Sequence, residues 1–440
     1  AAVMVNKSER LFNKALKVLP GGVSRNTIFR KPTPFYADKG KGCYVTDIEG
    51  VTRIDFANNM ASLIHGHAYP AIVDSVSKQL AKGSCFTMAT EAEVNYAELL
   101  CDRVPSFDKI RFVNSGTEAV MAMLKASRAY TGKAKIAKVE GAYHGAYDYA
   151  EVSQTANPSN WGDVNKPNST PVAVGTPEKA LEDVVVIPFN DIDRAIKILN
   201  QHKDEIACIL VDLLPHRVGL IPASNDFINA LHKWTRDNKS LLAFDEVITF
   251  RTNYRGAQQN YDVEPDLTAM GKVIGGGFPA GALAGRDEVM KVLDPTEAKV
   301  LLPHSGTFSA NPITMTAGLA AMKDFDQEAV TKLNDLANYA KAAISKAIAD
   351  VGIAACVTGA GSMFRVHLKA QPPKNYREAY VDKTESALIT KLLDHLFDNG
   401  IMMINTCSAT LSTAMGKKEI DNLVSALKDG FEMLKPEMTQ

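Results

Sequence analysis

The sequence predicts an α/β protein, with a large domain built on a mostly parallel, helix-wrapped sheet and a smaller α+β domain beside it. Three observations point there. From Tyr69 onward, helical patterns alternate with short apolar runs such as "VVVIPF", "IACILVDLL" and "LLAFDEV", the pattern of a sheet covered on both faces. The last of these runs ends in Asp245 and Glu246, which sets a carboxylate at the C-terminal end of a buried strand, where open α/β sheets bind ligands. Near residue 325 the pattern shifts to longer helices. The expected division is residues 1–65 (helix, loop and hairpin, part of the small domain), 66–324 (large domain) and 325–440 (C-terminal small domain).

The 440 residues are 46% hydrophobic and 22% charged, with a formal net charge of -1, which suits a globular chain with no general attraction for nucleic acid or anionic membrane. The six cysteines form no C-x-x-C pair and no cluster with histidine at metal spacing, so reduced thiols and no metal are expected. No apolar run approaches the ~20 residues of a membrane span, and the N-terminus lacks a basic-then-apolar pattern. The expectation is a cytoplasmic enzyme. Residues 1–5 also allow a reading as a remnant of expression.

Residues 7–18 place Leu11, Phe12, Ala15, Leu16 and Val18 on one helical face, and "LPGG" should stop that helix. The prolines in "VSRNTIFRKPTPFY" make the next stretch a loop, carrying Arg25 and Arg30. "GCYVTDIEGVTRIDF" alternates like two strands around the turn "DIEG". "ANNMASLIHGHAYP" is small and polar, suited to lining a cavity.

In "KIRFVNSGTEAVMAMLKASRAYTG" a strand ends at Val113 and a helix covers 116–130, capped by Gly132. "KIAKVEGAYHGAY" is the next strand with its loop. Residues 151–179 are rich in Ser, Thr, Asn, Pro and Gly, and two readings stand: a loop near the site or a surface insertion. "NDFINALHKWTRDN" is an amphipathic helix ahead of "LLAFDEV", and "EPDLTAM" is a short strand ahead of Lys272 and three glycines. Beyond Pro312, two long helical stretches, the strand "SMFRVHL" and two closing helices complete the chain.

Several constellations carry chemistry. A lysine and a buried acid facing one crevice suit pyridoxal phosphate, where lysine forms a Schiff base and aspartate pairs with the protonated ring nitrogen. A surface lysine and an unrelated strand-end acid is the bland alternative. "NSGTEA" puts Ser115, Gly116 and Thr117 at a helix N-terminus, where amides and the helix dipole favour phosphate, or where the residues simply cap the helix. "GAYHG" offers Tyr143 and His144, an aromatic to stack on a planar ring or a packed loop. "HSGTFSANP" supplies Thr307 in a second Ser-Gly-Thr turn.

These elements, in this order, resemble the class III pyridoxal-phosphate aminotransferases from about Ser8 to the C-terminus. The resemblance is strongest to the branch of glutamate-1-semialdehyde aminomutase, D-phenylglycine aminotransferase and β-phenylalanine aminotransferase, whose typical "SERLFNKALKVLPGGV" and "FVNSGTEA" stand here. It implies fold type I and a homodimer with active sites at the subunit interface. Lys272 is then the Schiff-base lysine, Asp245 the ring-nitrogen partner and Tyr143, beside His144, the stacking aromatic, with Val247 packed on the opposite ring face. Ser115, Gly116 and Thr117 hold the phosphate, and Thr307 reaches the phosphate bound by the neighbouring subunit.

The departures bear on substrate. Asn59, Met60 and Ala61 stand where the aminomutase has a serine-tryptophan-glycine lead-in, and "INTCSATLSTAM" replaces its acidic C-terminal segment. "GVSRNTIF" resembles β-phenylalanine aminotransferase, in which an arginine matching Arg25 holds the substrate carboxylate. That relative's second, C-terminal arginine has no counterpart near residues 406–408. "VDLLPHRVGLIP" departs from the family's "VEP" turn and makes Arg217 a second candidate for a carboxylate contact. The expected activity moves an amino group from a hydrophobic or aromatic amino acid, a β-amino acid included, or an amine to a keto acid such as 2-oxoglutarate or pyruvate. The alternative is an isomerase, glutamate-1-semialdehyde 2,1-aminomutase or a racemase.

Overall fold

In a computed structural model that describes residues 6–438, the apolar runs become fourteen strands in three sheets. The reading of residues 1–5 lies outside the described residues. The first three strands, β1 (Ala37–Lys41), β2 (Tyr44–Asp47) and β3 (Thr52–Asp55), form the expected hairpin with one extra strand in front. The central strands are β4 (Lys109–Val113), β5 (Lys135–Val139), β6 (Val184–Ile187), β7 (Ile206–Val211), β8 (Leu241–Asp245), β9 (Leu267–Gly271) and β10 (Gly281–Gly285). The last four are β11 (Cys356–Ala360), β12 (Met363–His367), β13 (Ile401–Met402) and β14 (Ser408–Thr410).

The seven central strands make one sheet in the order β4-β10-β9-β8-β7-β5-β6, with only β10 antiparallel to its neighbours. Every residue of β6 to β10 is buried, which explains why these strands read as continuous apolar runs rather than alternating ones. Truncating a side chain such as Leu242 to alanine in this layer would cost about 2–5 kcal/mol. The parallel arrangement brings the C-terminal ends of β4, β5, β7, β8 and β9 to one edge, and the site is built there.

Local chemistry sets the elements. The helix Gly116–Thr131 begins because the Ser115 hydroxyl accepts from the Glu118 amide at 3.1 Å, and it stops at Gly132, whose φ of 71° is left-handed. Pro70 occupies the first turn of Pro70–Leu80, where its missing N–H costs nothing. The helices Pro312–Asp324, Gln327–Val351, Lys383–Asp398 and Lys417–Met438 cover the C-terminal region.

Several features differ from expectation. The first helix ends at Ala15 rather than Val18, because the chain turns into the short 3-10 segment Pro20–Gly22 with both glycines at positive φ. Part of its apolar face stays open, with Leu11 38%, Leu16 49% and Val18 78% exposed and uncovered by the described residues. The two-residue strand β13 pairs in parallel with β3, joining residues 347 positions apart, Ile401 against Ile54 and Met402 against Asp55. Residues 151–179 carry little regular structure, yet Val152, Ser153, Ala156 and Thr170 are buried, and Tyr376 donates to the Ala156 carbonyl at 2.6 Å. No described helix is long and apolar enough to cross a membrane.

Candidate active site

A cavity of about 190 Å³ opens at the shared strand ends. Asp245, the last residue of β8, and Lys272, the residue after β9, both line it. Asp245 is 4% exposed, and its Oδ1 accepts from the Val247 amide at 2.9 Å. His144, on the loop after β5, places Nδ1 2.7 Å from the other carboxylate oxygen. Burial pushes His144 below the ordinary histidine range while the Asp245 charge opposes that, so a neutral ring with the proton on Nδ1 donates to Asp245. Nε2 is then a buried acceptor with no partner among the described residues.

Lys272 sits at φ 49°, a left-handed conformation that a non-glycine residue adopts at a cost and that is met at functional sites. It starts the 3-10 turn Lys272–Gly275, ahead of Gly276 and Gly277, also at positive φ. Burial lowers its amine to about 8; Asp245 pulls upward, and the Arg25 and Arg251 charges push further down. A lysine so placed supplies a neutral nucleophile near physiological pH.

Ser115, Gly116 and Thr117 line the same cavity at the first turn of Gly116–Thr131, where amide N–H groups and the helix dipole attract an anion. A Cβ on Gly116 would come within 2.7 Å of Val247 Cγ1, and one on Gly145 within 2.6 Å of Thr117 Oγ1. The backbone at both glycines therefore sits as close to the lining side chains as a hydrogen permits. Tyr143 and Val247 also face the cavity; Tyr143 is 51% exposed.

Not every expected residue converges. Thr307 is exposed and lies outside this cavity. Arg217, at the short turn His216–Val218, is also outside the lining, with Nε donating to the Gln154 carbonyl at 3.3 Å. Arg25 is exposed, and its Nη2 donates to the Asn59 side-chain oxygen at 2.9 Å; its charge nevertheless reaches Lys272. Asn59 belongs to a run of four left-handed residues, Asn58 (φ 47°), Asn59 (50°), Met60 (57°) and Ala61 (71°), each costing about 1–2 kcal/mol. Asp55 accepts from the Ala57 and Asn58 amides, Asn58 donates to the Thr410 carbonyl, and the fully buried Arg251 donates to the Ala61 carbonyl at 3.2 Å. The strained turn is held from several distant segments.

Four lining residues, Val120, Gly145, Asp212 and Ile248, were not among the expected site residues, and one of them is titratable. Asp212, just past β7, is a buried carboxyl pushed well above the usual range by burial and then by the Asp245 charge, so it holds a proton more readily than an ordinary carboxyl. Its signal was available, since "IACILVD" ends in an acid as "LLAFD" does.

Against known proteins, residues 28–430 match the model of the family "Aminotransferase class-III". The chain is 36% identical to a glutamate-1-semialdehyde 2,1-aminomutase of Methanocaldococcus jannaschii, over 98% of this chain and 100% of that one. Among solved structures it is similar to an omega-transaminase from Sphaerobacter thermophilus, with 45% identity, a TM-score of 0.95 and 97% of each chain covered. It is also similar to a β-phenylalanine aminotransferase from Variovorax paradoxus, with 31% identity, a TM-score of 0.87, and coverage of 97% of this chain and 94% of that one.

Proposed function

The chain belongs to the class III aminotransferases, fold type I enzymes that work with pyridoxal phosphate, and from that premise we propose that it transfers an amino group from a carboxylated hydrophobic or aromatic donor to a keto acid. The donor class includes β-amino acids. The cavity suits the cofactor on this chain's own features: a helix N-terminus for phosphate, a depressed lysine, a buried acid steadied by His144, and glycines whose Cβ atoms would crowd the lining. When bound, pyridoxal phosphate supplies a sink for the electron pair released at the substrate carbon. Lys272 would hold the cofactor covalently, and its Nζ is placed to take a proton from the substrate carbon that bears the amine. Asp245 would hold a proton on the ring nitrogen, Ser115, Gly116 and Thr117 would bind the phosphate, and Tyr143 and Val247 would pack against the ring.

The observation that carries the donor class is Arg25. Its guanidinium is exposed, bonded to a neutral amide, within no ion pair among the described residues, and close enough to disfavour charge on Lys272. That leaves donors free for a substrate carboxylate, and the name of the Variovorax relative agrees with a β-amino acid. Arg25→Ala is expected to raise KM for β-phenylalanine over that for 1-phenylethylamine by about 1.5–3 kcal/mol, roughly ten- to 150-fold. Equal losses for both donors would remove Arg25 from the carboxylate contact. The name of the Methanocaldococcus relative favours a second reading, an aminomutase. Rapid isomerisation of glutamate-1-semialdehyde with no keto acid added would establish that reading instead.

The open apolar faces support a homodimer. The helix Pro70–Leu80 has no buried residue, and Leu16, Val18, Val73, Leu80, Phe86 and Met88 are all exposed large hydrophobics, more than a lone chain needs to leave in water. Thr307, exposed and outside its own chain's cavity, fits a role at the partner's phosphate. Thr307→Ala is then expected to weaken cofactor retention, and hybrids formed with Lys272→Ala should regain one fully retained site. A stable, fully active monomer would contradict this arrangement.

A further inference from the structure

Strand β5 buries a lysine among apolar neighbours. Lys138 stands between Ala137 and Val139, in register with Val186 of β6 and Leu210 of β7, and is fully buried. Its Nζ donates to the Ala142 carbonyl at 3.0 Å and to the Ala150 carbonyl at 2.9 Å, and it bonds no carboxylate among the described residues. Burial first, and then the Arg217 charge, lowers the amine to about 7, while the Glu151 charge pulls the other way. The charged and uncharged forms each have at least two N–H donors, so both bonds persist whichever form is present.

An apolar side chain would fill this strand position without the cost of burying an amine, so the two partners of Nζ are what distinguish a lysine there. Ala142 and Ala150 bracket the loop that brings Tyr143, His144 and Gly145 to the cavity. One step further out, the Gly141 amide donates to the Ser153 carbonyl at 2.9 Å and closes the base of the same loop without Lys138. Inside that base the Ala146 amide reaches Thr117 Oγ1 at 3.4 Å and Arg128 Nη1 reaches the Tyr147 hydroxyl at 3.3 Å, both long bonds. The short ones are those of Lys138 and the 2.7 Å contact between His144 and Asp245. Lys138 also acts on that contact: burial lowers the affinity of His144 for a second proton, and the charged lysine adds to this against the pull of Asp245, which keeps the imidazole a neutral Nδ1–H donor.

We propose that Lys138 is a positioning residue for the active site: by tying Ala142 to Ala150, its Nζ holds Tyr143 at the cavity wall and His144 against Asp245. Lys138 itself does not line the cavity and acts only through that loop. This inference rests on the roles proposed above for Tyr143 and His144. Because the Gly141–Ser153 bond closes the base of the loop independently, loss of Lys138 should loosen the inner residues and leave the sheet in place.

The test uses the holoenzyme at matched cofactor occupancy. Lys138→Met fills the space and removes the donors. It is expected to cut the visible circular dichroism of the bound cofactor by about half or more, and to speed amide exchange across residues 142–150 by about tenfold or more. It should also lower kcat by about tenfold while KM for β-phenylalanine stays within about threefold of wild type. Leu199→Ala, on the buried face of the helix Ile192–Asn200, is the control for lost stability alone, and should lower Tm without moving the dichroism or the exchange of that loop. Wild-type dichroism and loop exchange in Lys138→Met, or changes no larger than those of Leu199→Ala, would overturn the proposal. Should the methionine variant fail to fold, Lys138→Gln decides: its amide is one bond shorter and neutral, so loop exchange should still rise by about threefold, and wild-type values would overturn the proposal. Tyr143→Ala is measured alongside. If it leaves dichroism and turnover unchanged, the ring-facing role of Tyr143 fails and this inference with it; if it alters both while Lys138→Met does not, the role of Lys138 alone is overturned.

Discussion

Lys272→Ala is expected to abolish borohydride-reducible attachment of the cofactor and to lower turnover by at least about a thousandfold, within the range that removing a positioned proton-transfer group costs. The alanine would remove both the only lysine that lines the described cavity and the base beside the substrate carbon. The pH dependence follows from its environment. Burial, reinforced by Arg25 and Arg251, lowers the Lys272 amine to about 8, and Asp245 limits that fall. The uncharged amine is the nucleophile, so its fraction rises about tenfold per pH unit below that value and levels above it. Capture of added cofactor by cofactor-free wild type should therefore speed up with rising pH and reach a plateau slightly above 8. A variant that still carries reducible cofactor, or a capture rate still climbing toward pH 10.5, would remove Lys272 from this role.

How much of this was legible in the sequence depends on whether the signal was local. The helix Gly116–Thr131 was read to within a residue, because Ser115 and Gly132 mark its ends by their own chemistry. Asp245 was legible because an apolar run ended in an acid, and Lys272 because three glycines followed a strand. The bond between His144 and Asp245 was not, since it joins residues 101 positions apart. The left-handed turn at Asn58 to Ala61 has no signature in composition: none of the four is glycine, and its support comes from Thr410 and Arg251. Arg365 was hidden inside "SMFRVHL", which alternates correctly for a strand; only the structure shows its guanidinium buried and donating to the His216 carbonyl. The apolar face of the first helix was visible, but periodicity names a face to be covered and not the chain that covers it.

Asp245→Asn is expected to retain cofactor and lose most turnover. The carboxylate is held by two donors, the Val247 amide at 2.9 Å and His144 Nδ1 at 2.7 Å, which fix its orientation at the end of β8. An asparagine keeps one acceptor oxygen and turns the other position into a donor. To avoid meeting His144 Nδ1–H with an N–H, either the amide turns and strands the Val247 amide, or the imidazole moves its proton to Nε2, the atom that now has no partner. Geometry therefore survives at modest cost, whereas charge does not. An opposite charge within hydrogen-bonding range shifts a partner's pKa by roughly 1–3 units, so without it the protonated fraction of the ring nitrogen at pH 7, and turnover with it, falls by about ten- to a thousandfold. Cofactor absorbance after dialysis checks retention, and steady-state turnover with β-phenylalanine checks the loss. His144→Ala separates the two contributions: it leaves the carboxylate in place without its second donor, so its loss should be smaller than that of Asp245→Asn. Turnover within threefold of wild type in the asparagine variant, or a larger defect in the alanine variant, would shift the proton-holding role away from Asp245.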